Sequence, residues 1–173
     1  VSGHCRLTCS ADTRRVTELR QQHAEFIAQK KAEALESVSI LEKPTASRLA
    51  AEKQKKGLVI VEAYYGHVDS FTPRGMREQH DEDGGERYID VTIPIQALVA
   101  DSKLVIPGGR GKHNLIGFWD PCIGEGKKLR VRYLFRDVLH EVTVDDMAGL
   151  KLPVKGASAC RSDELITAHA VTL

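Results

Sequence analysis

The 173-residue sequence has almost no net charge: 25 basic residues against 24 acidic leave +1 at pH 7. No overall field therefore draws the chain to nucleic acid or to an anionic membrane. It has no long apolar run either. The longest, around residues 58–61, is strand length and far short of the ~18 residues of a membrane helix. No secretory signal or Arg-rich transit segment stands at the N-terminus, which opens on Val1 rather than Met. The opening VSGHCRLTCSADT does not read as the start of a domain, so we expect sequence ahead of it. Cysteine is sparse and scattered: Cys5, Cys9, Cys122 and Cys160 make no disulfide framework, and a reducing compartment is the expectation. Internal repeats are absent.

Motifs that carry chemistry are missing as well. His4, Cys5 and Cys9 are zinc-ligand types, but a structural zinc needs four ligands in paired short spacings, and Cys122 and Cys160 stand alone. We expect no metal and no cofactor. Gly108-Gly109-Arg110-Gly111-Lys112 and Gly124-Glu125-Gly126-Lys127 resemble phosphate loops only on the surface. Neither has the GxxxxGK[ST] spacing between a strand and a helix, so they read as turn glycines. Cys122 with His113 or His140 as base would be a thiol nucleophile. A thiolate needs a positive or helix-terminal setting, and Lys127 and Lys128 are thin support for one. The plainer reading is that Trp119, Asp120, Pro121 and Cys122 form a structured corner. Trp119 would fill the core, Pro121 fix the turn and Asp120 bond loop amides. His140 reads as a core histidine, Arg130 and Arg132 as a solvated strand face, and Asp81-Glu82-Asp83 and Asp145-Asp146 as loop charge. No catalytic residue is expected.

What is present is 42% apolar and 28% charged residues, enough for a packed core. The length suits one domain with an extension. Residues 1–11 read as a polar lead-in. From Asp12 or Thr13, which can cap a helix, the pattern turns helical. Val16, Leu19, Phe26, Ile27, Ala34, Val38 and Leu41 form one thin apolar stripe at intervals that fit a helix face. Pro44 should stop or kink this arm, with a second helical piece running from about residue 45 to 55. Gly57 ends it.

The pattern then switches abruptly to strands. GLVIVEAYYG, residues 57–66, is nearly all apolar and should be central and covered on both faces. Residues 69–87 read as a loop insertion. Residues 88–99 alternate and predict a strand, with Pro94 marking an edge or bulge. Residues 104–106, 129–135, 138–144 and 150–154 complete about six strands, the middle two joined by a tight hairpin at Arg136-Asp137. With no helix expected between them, the fold class is mainly β with a helical N-terminal arm: an antiparallel β-sandwich or open barrel. The domain organisation is a lead-in 1–11, an arm 12–56 kinked near Pro44, a β domain 57–154 and a flexible tail 155–173.

Four segments occur in order: GLVIVEAYYG, YIDVTIPIQALVADSKLVI, GFWDPCIGEGKKLRVRYLF and VLHEVTV. This succession, with Phe118-Trp119-Asp120-Pro121-Cys122, resembles the C-terminal domain of the DnaJ homolog subfamily C member 11 family of mitochondrial J-domain proteins, over roughly residues 50–154. The resemblance implies a J domain upstream, a mitochondrial address beside the outer membrane and cristae-organising complexes, and no enzyme activity for this module. The His-Pro-Asp tripeptide by which a J domain stimulates an Hsp70 ATPase does not occur in the chain.

The expected function is a non-enzymatic interaction or scaffold module whose arm stripe docks on protein subunits of a larger, mitochondrial assembly. Membrane association would come through partners. Two alternatives stand beside it. One is a β-sandwich that binds a ligand or lipid headgroup near loops 107–117 and 120–128. The other is a structural subunit of a different organellar or ciliary complex.

Overall fold

The structure is a computed structural model that describes residues 6–72 and 86–154, with side chains from residue 14 onward. One helix, α1 (Arg6–Gln54), leads into six antiparallel strands: β1 (Leu58–His67), β2 (Tyr88–Asp90), β3 (Leu104–Ile106), β4 (Lys127–Phe135), β5 (Val138–Asp145) and β6 (Leu150–Leu152). A short helix, α2 (Thr92–Ala97), lies between β2 and β3. Four strands form a sheet in the order β2-β1-β4-β5, and β3 pairs with β6 in a second, two-stranded sheet. The barrel does not close. Of the sequence readings, residues 1–5, most of the 69–87 insertion and the 155–173 tail lie outside the described residues, as do Asp81-Glu82-Asp83 and Cys160.

Four readings of local structure change. The helix already runs at Arg6, so Asp12 and Thr13 sit inside it rather than capping it. It also passes through Pro44 as one element, where a stop and a second helix were expected. Packing explains the continuity: Leu41 on one side is half-buried and Thr45 on the other is buried against the domain. That tertiary contact offsets the loss of one helical hydrogen bond.

The strand expected over residues 88–99 survives only as β2. Val91, Ile95 and Val99 are buried apolar positions, and their spacing of four suits both a strand and a helix. Two details tip the choice to α2. The Asp90 carboxylate accepts the Thr92 N–H at 2.8 Å, starting a turn. Pro94 stands in the first turn of the helix, where its missing N–H leaves nothing unpaired. So one helix does separate the strands.

Strand β1 is central, as its apolar run implies, and is covered on both faces at Leu58, Val59 and Ile60 and again at Tyr65 and Gly66. Beyond a register shift between Ile60 and Glu62 it alternates: Ala63 and Tyr65 point inward while Glu62 and Tyr64 are half-buried on the other face. That outer face is not simply solvated. Arg132 meets Glu62 at 2.9 Å and Arg130 meets Glu141 at 2.8 Å, linking β1, β4 and β5 across the sheet.

The inner face carries the core. Leu58, Ile60, Ala63, Tyr65, Leu129, Val131 and Tyr133 join Leu104, Ile106, Leu150 and Leu152 of the small sheet, Ile95 of α2 and Ala34 of α1 in one cluster. The hairpin is where the spacing placed it, with Arg136 and Asp137 both at positive φ, 53° and 63°, as a two-residue turn requires.

Candidate functional site

The seven residues of the arm stripe lie within an arc of about 120° on one side of the helix, but only its inner length meets the domain. Ile27, Lys31, Ala34, Val38, Leu41 and Thr45 follow intervals of four and three and turn toward the domain, with Ala34 and Thr45 buried and the rest half-buried. Val16, Leu19 and Phe26 are 48%, 57% and 53% exposed. Every residue from Arg14 to Phe26 is exposed, so this length of the arm stands clear of the domain on all its faces. The stripe thus divides by position along the helix, and a count of apolar intervals does not show where contact with the domain begins. The structure brings Ile27, Ala34, Val38 and Leu41 together on their own domain and leaves Val16, Leu19 and Phe26 outside.

Where the exposed length of the arm gives way to the packed one there is a groove of about 540 Å³. Phe26, Lys30, Glu33 and Ser37 form its helical wall, and the loop from His113 to Ile123 forms the other. Ile116 and Ile123 stand on that loop 70% and 46% exposed. Lys30 and Glu33 pair with each other at 2.7 Å, so the helical wall has no net charge.

The loop is held by buried polar groups that pattern-reading of the sequence passes over. Lys112, only 2% exposed, donates to the main-chain carbonyls of Asp145, Asp146 and Ala148 at 2.7, 2.5 and 2.7 Å. Burial pulls its ammonium below the usual lysine range, against the opposing pull of Asp146 and Asp145. The Asp146 carboxylate accepts the Lys112 N–H at 2.7 Å and the Tyr65 hydroxyl at 2.9 Å. Burial, then that hydrogen bond, push the Tyr65 phenol far above its ordinary range. Asp146 is therefore part of the anchor, while the Asp145 carboxylate stays exposed and only its carbonyl meets Lys112.

At the far end of the loop, Lys127 donates to the carbonyls of Cys122 and Glu125 at 3.1 and 3.0 Å and pairs with Asp120 at 3.1 Å. Asp120 in turn accepts the Cys122 N–H at 3.0 Å. Trp119 sits in the core cluster, with the Lys31 ammonium 5.7 Å from its ring centroid. Gly117, at φ +80°, lets the loop close on the arm: a Cβ there would lie 2.7 Å from Pro94 and 3.1 Å from Val38.

A second anchor joins arm to sheet. Glu52, at the end of α1, accepts the Leu58 N–H at 3.0 Å and the Ser102 hydroxyl at 2.7 Å. Burial alone would raise this carboxyl. Hydrogen bonds from Lys55, Ser102 and the Leu58 and Ser102 amides outweigh it and hold the group below the usual carboxylate range. Gln96 of α2 accepts the Ile60 N–H at 2.7 Å, and Thr92 accepts that of Ala63 at 2.9 Å, so side chains cover the part of the β1 edge that β2 leaves open.

The arrangement offers a surface. Cys122 is buried. His140 stacks on Tyr133, ring centroids 5.2 Å apart. Among the described residues no group of three or more His, Cys, Asp or Glu could hold a metal ion, and no helix is long and apolar enough to cross a membrane. Lys112 and Lys127, the buried lysines of the two glycine-rich loops, are turned to main-chain carbonyls.

Comparison with known proteins places this architecture. Residues 18–153 match the family described as DnaJ-like protein C11, C-terminal. The chain is 40% identical over 134 residues to the mouse protein named DnaJ homolog subfamily C member 11, covering 78% of this chain and 22% of that one. It is 38% identical over 138 residues to the Dictyostelium discoideum homolog, covering 78% and 23%. The bovine protein of the same name is 39% identical over 134 residues, covering 78% and 22%. The chain thus spans less than a quarter of the length of these curated relatives. No solved structure matches it. Since the match takes in the outer arm from Glu18, the groove and both sheets, the chain belongs to the DnaJ-like C11 C-terminal domain family.

Proposed function

We propose that this chain is a non-enzymatic protein-interaction module of a J-domain protein, and that its arm docks on other subunits of a larger, mitochondrial assembly. The observation that carries the reading is the outer half of α1. Three large apolar side chains, Val16, Leu19 and Phe26, stand about half exposed on a length of helix that the domain leaves uncovered, and Phe26 leads into the groove. Surface of this kind gains free energy only when another chain covers it. The mitochondrial setting rests on the family resemblance. The balanced charge favours a protein partner over nucleic acid.

The test is Leu19→Glu with Phe26→Glu in the full-length protein, followed by native electrophoresis of mild detergent extracts. Both positions are exposed, so the domain should keep its stability to within about 0.5 kcal/mol. The variant should leave the large complex that contains the wild type. Unchanged migration of the variant would refute the reading.

The groove volume also suits a small ligand. A thermal-shift screen against lipid headgroups and small anions would reveal one by a raised transition temperature.

A further inference from the structure

We infer that two copies of this chain pair through the outer halves of their arms, antiparallel, each placing Val16 and Leu19 in the other's groove. The inference rests on the arm being a docking surface and names what docks there. Three observations select a second copy.

The first is spacing. Val16, Leu19, His23, Phe26, Lys30 and Glu33 follow intervals of three, four, three, four and three, the seam of a two-stranded helical pair. The seam is richest in apolar residues at its outer end. It turns polar at Lys30 and Glu33, where the loop supplies Ile116 and Ile123 instead. Apolar side chains without a wall and an apolar wall without side chains therefore lie on one molecule, about 26 Å apart along the helix at 1.5 Å per residue. A two-fold axis between residues 24 and 25 satisfies both at once. Val16 then faces Glu33 of the second copy, Leu19 faces Lys30, and His23 faces Phe26.

The second is charge. The same register brings exposed Arg15 to within two residues, about 3 Å along the axis, of exposed Glu36 of the second copy, both flanking the seam on the same side, twice over by symmetry, and sets Gln22 and Gln29 in the same relation. A parallel pairing would instead set Arg15 beside Arg20 of the second copy.

The third is area. The exposed portions of Val16, Leu19, Phe26, Ile116 and Ile123 amount to roughly 500 Å² of apolar surface per copy. A standard interface buries about 800 Å² per partner, a little over half of it apolar. The patch matches one such interface.

Light scattering across a concentration series, on the full 173-residue chain, should show a monomer–dimer equilibrium. Leu19→Glu and Ile116→Glu should each raise the dimer Kd at least tenfold, with circular dichroism unchanged. Arg15→Glu should raise it about fivefold, and adding Glu36→Arg should restore it. With the four cysteines replaced by serine, a Leu19→Cys copy should form a disulfide with a Lys30→Cys copy on mild oxidation. A chain that stays monomeric at 100 µM overturns the inference, as does a dimer indifferent to Leu19→Glu and Ile116→Glu. A monomer whose Leu19→Glu, Phe26→Glu variant still leaves the large complex would overturn the second copy alone, with docking on another subunit standing. If that complex is also untouched, both readings fall.

Discussion

Replacing Lys112 with Met tests whether the groove wall depends on one buried ammonium. Methionine keeps the length and apolar stem of the side chain and removes its three donors. The carbonyls of Asp145, Asp146 and Ala148 each lose a charge-assisted bond worth about 1.5–3 kcal/mol in net terms. Two effects reduce the total. The turn carrying those carbonyls is half-exposed to exposed, so water recovers part of the bonding. Removing a cation that burial disfavours also relieves its desolvation. The balance should be a loss of about 2–4 kcal/mol. In urea, with a slope of about 2 kcal/mol/M for a domain of this size, the midpoint should fall by about 1–2 M with the slope unchanged. Trp119, the single tryptophan, reports the transition by fluorescence and sits on the loop in question. A midpoint that moves by less than about 0.3 M would mean that desolvation cancels the three bonds, and the anchoring role would be wrong.

Two further predictions concern the junction of arm and sheet. Gly57→Ala would put a Cβ 2.0 Å from the Glu52 carboxylate and 2.3 Å from the Ser102 hydroxyl, so it should cost about 2 kcal/mol or more by thermal or chemical unfolding. Wild-type stability would refute that packing. For Glu52, the folded carboxyl is held below its ordinary range, so its contribution is complete above the ordinary range and is lost as pH falls through the lowered value. Glu52→Gln should therefore lower stability at neutral pH and flatten the decline between about pH 6 and about pH 3. A variant that declines as steeply as wild type in that window would contradict the assignment.

Much of the fold was legible because the strands have short-range causes. The residue run GLVIVEAYYG lies in the middle of the large sheet, and Arg136-Asp137 turns the β4–β5 hairpin. Both follow from properties of a few adjacent residues. Residues 88–99 misled because their apolar spacing fits two periods, and the choice was made by the Asp90 turn and the Gln96 and Thr92 bonds to β1. The Asp90 turn is local, but the β1 partners lie 29 and 36 residues away, beyond any local pattern. The Lys112 and Glu52 anchors were invisible for the same reason. A lysine in a glycine-rich loop looks solvated until the turn at residues 145–148 folds over it.

The sequence by itself determined that a long polar helix precedes an antiparallel β domain, which elements are apolar, and that the chain lacks strong charge and the common catalytic motifs. These are sums over local composition and periodicity. Only the tertiary structure decided which length of the helix remains outside. At about 3.6 residues per turn Val16 and Ala34, 18 residues apart in the sequence, fall on one line, so periodicity alone gives them the same environment. The domain covers the stripe only from Ile27 onward, and Val16, Leu19 and Phe26 are left with Ile116 and Ile123 as the surface for another chain.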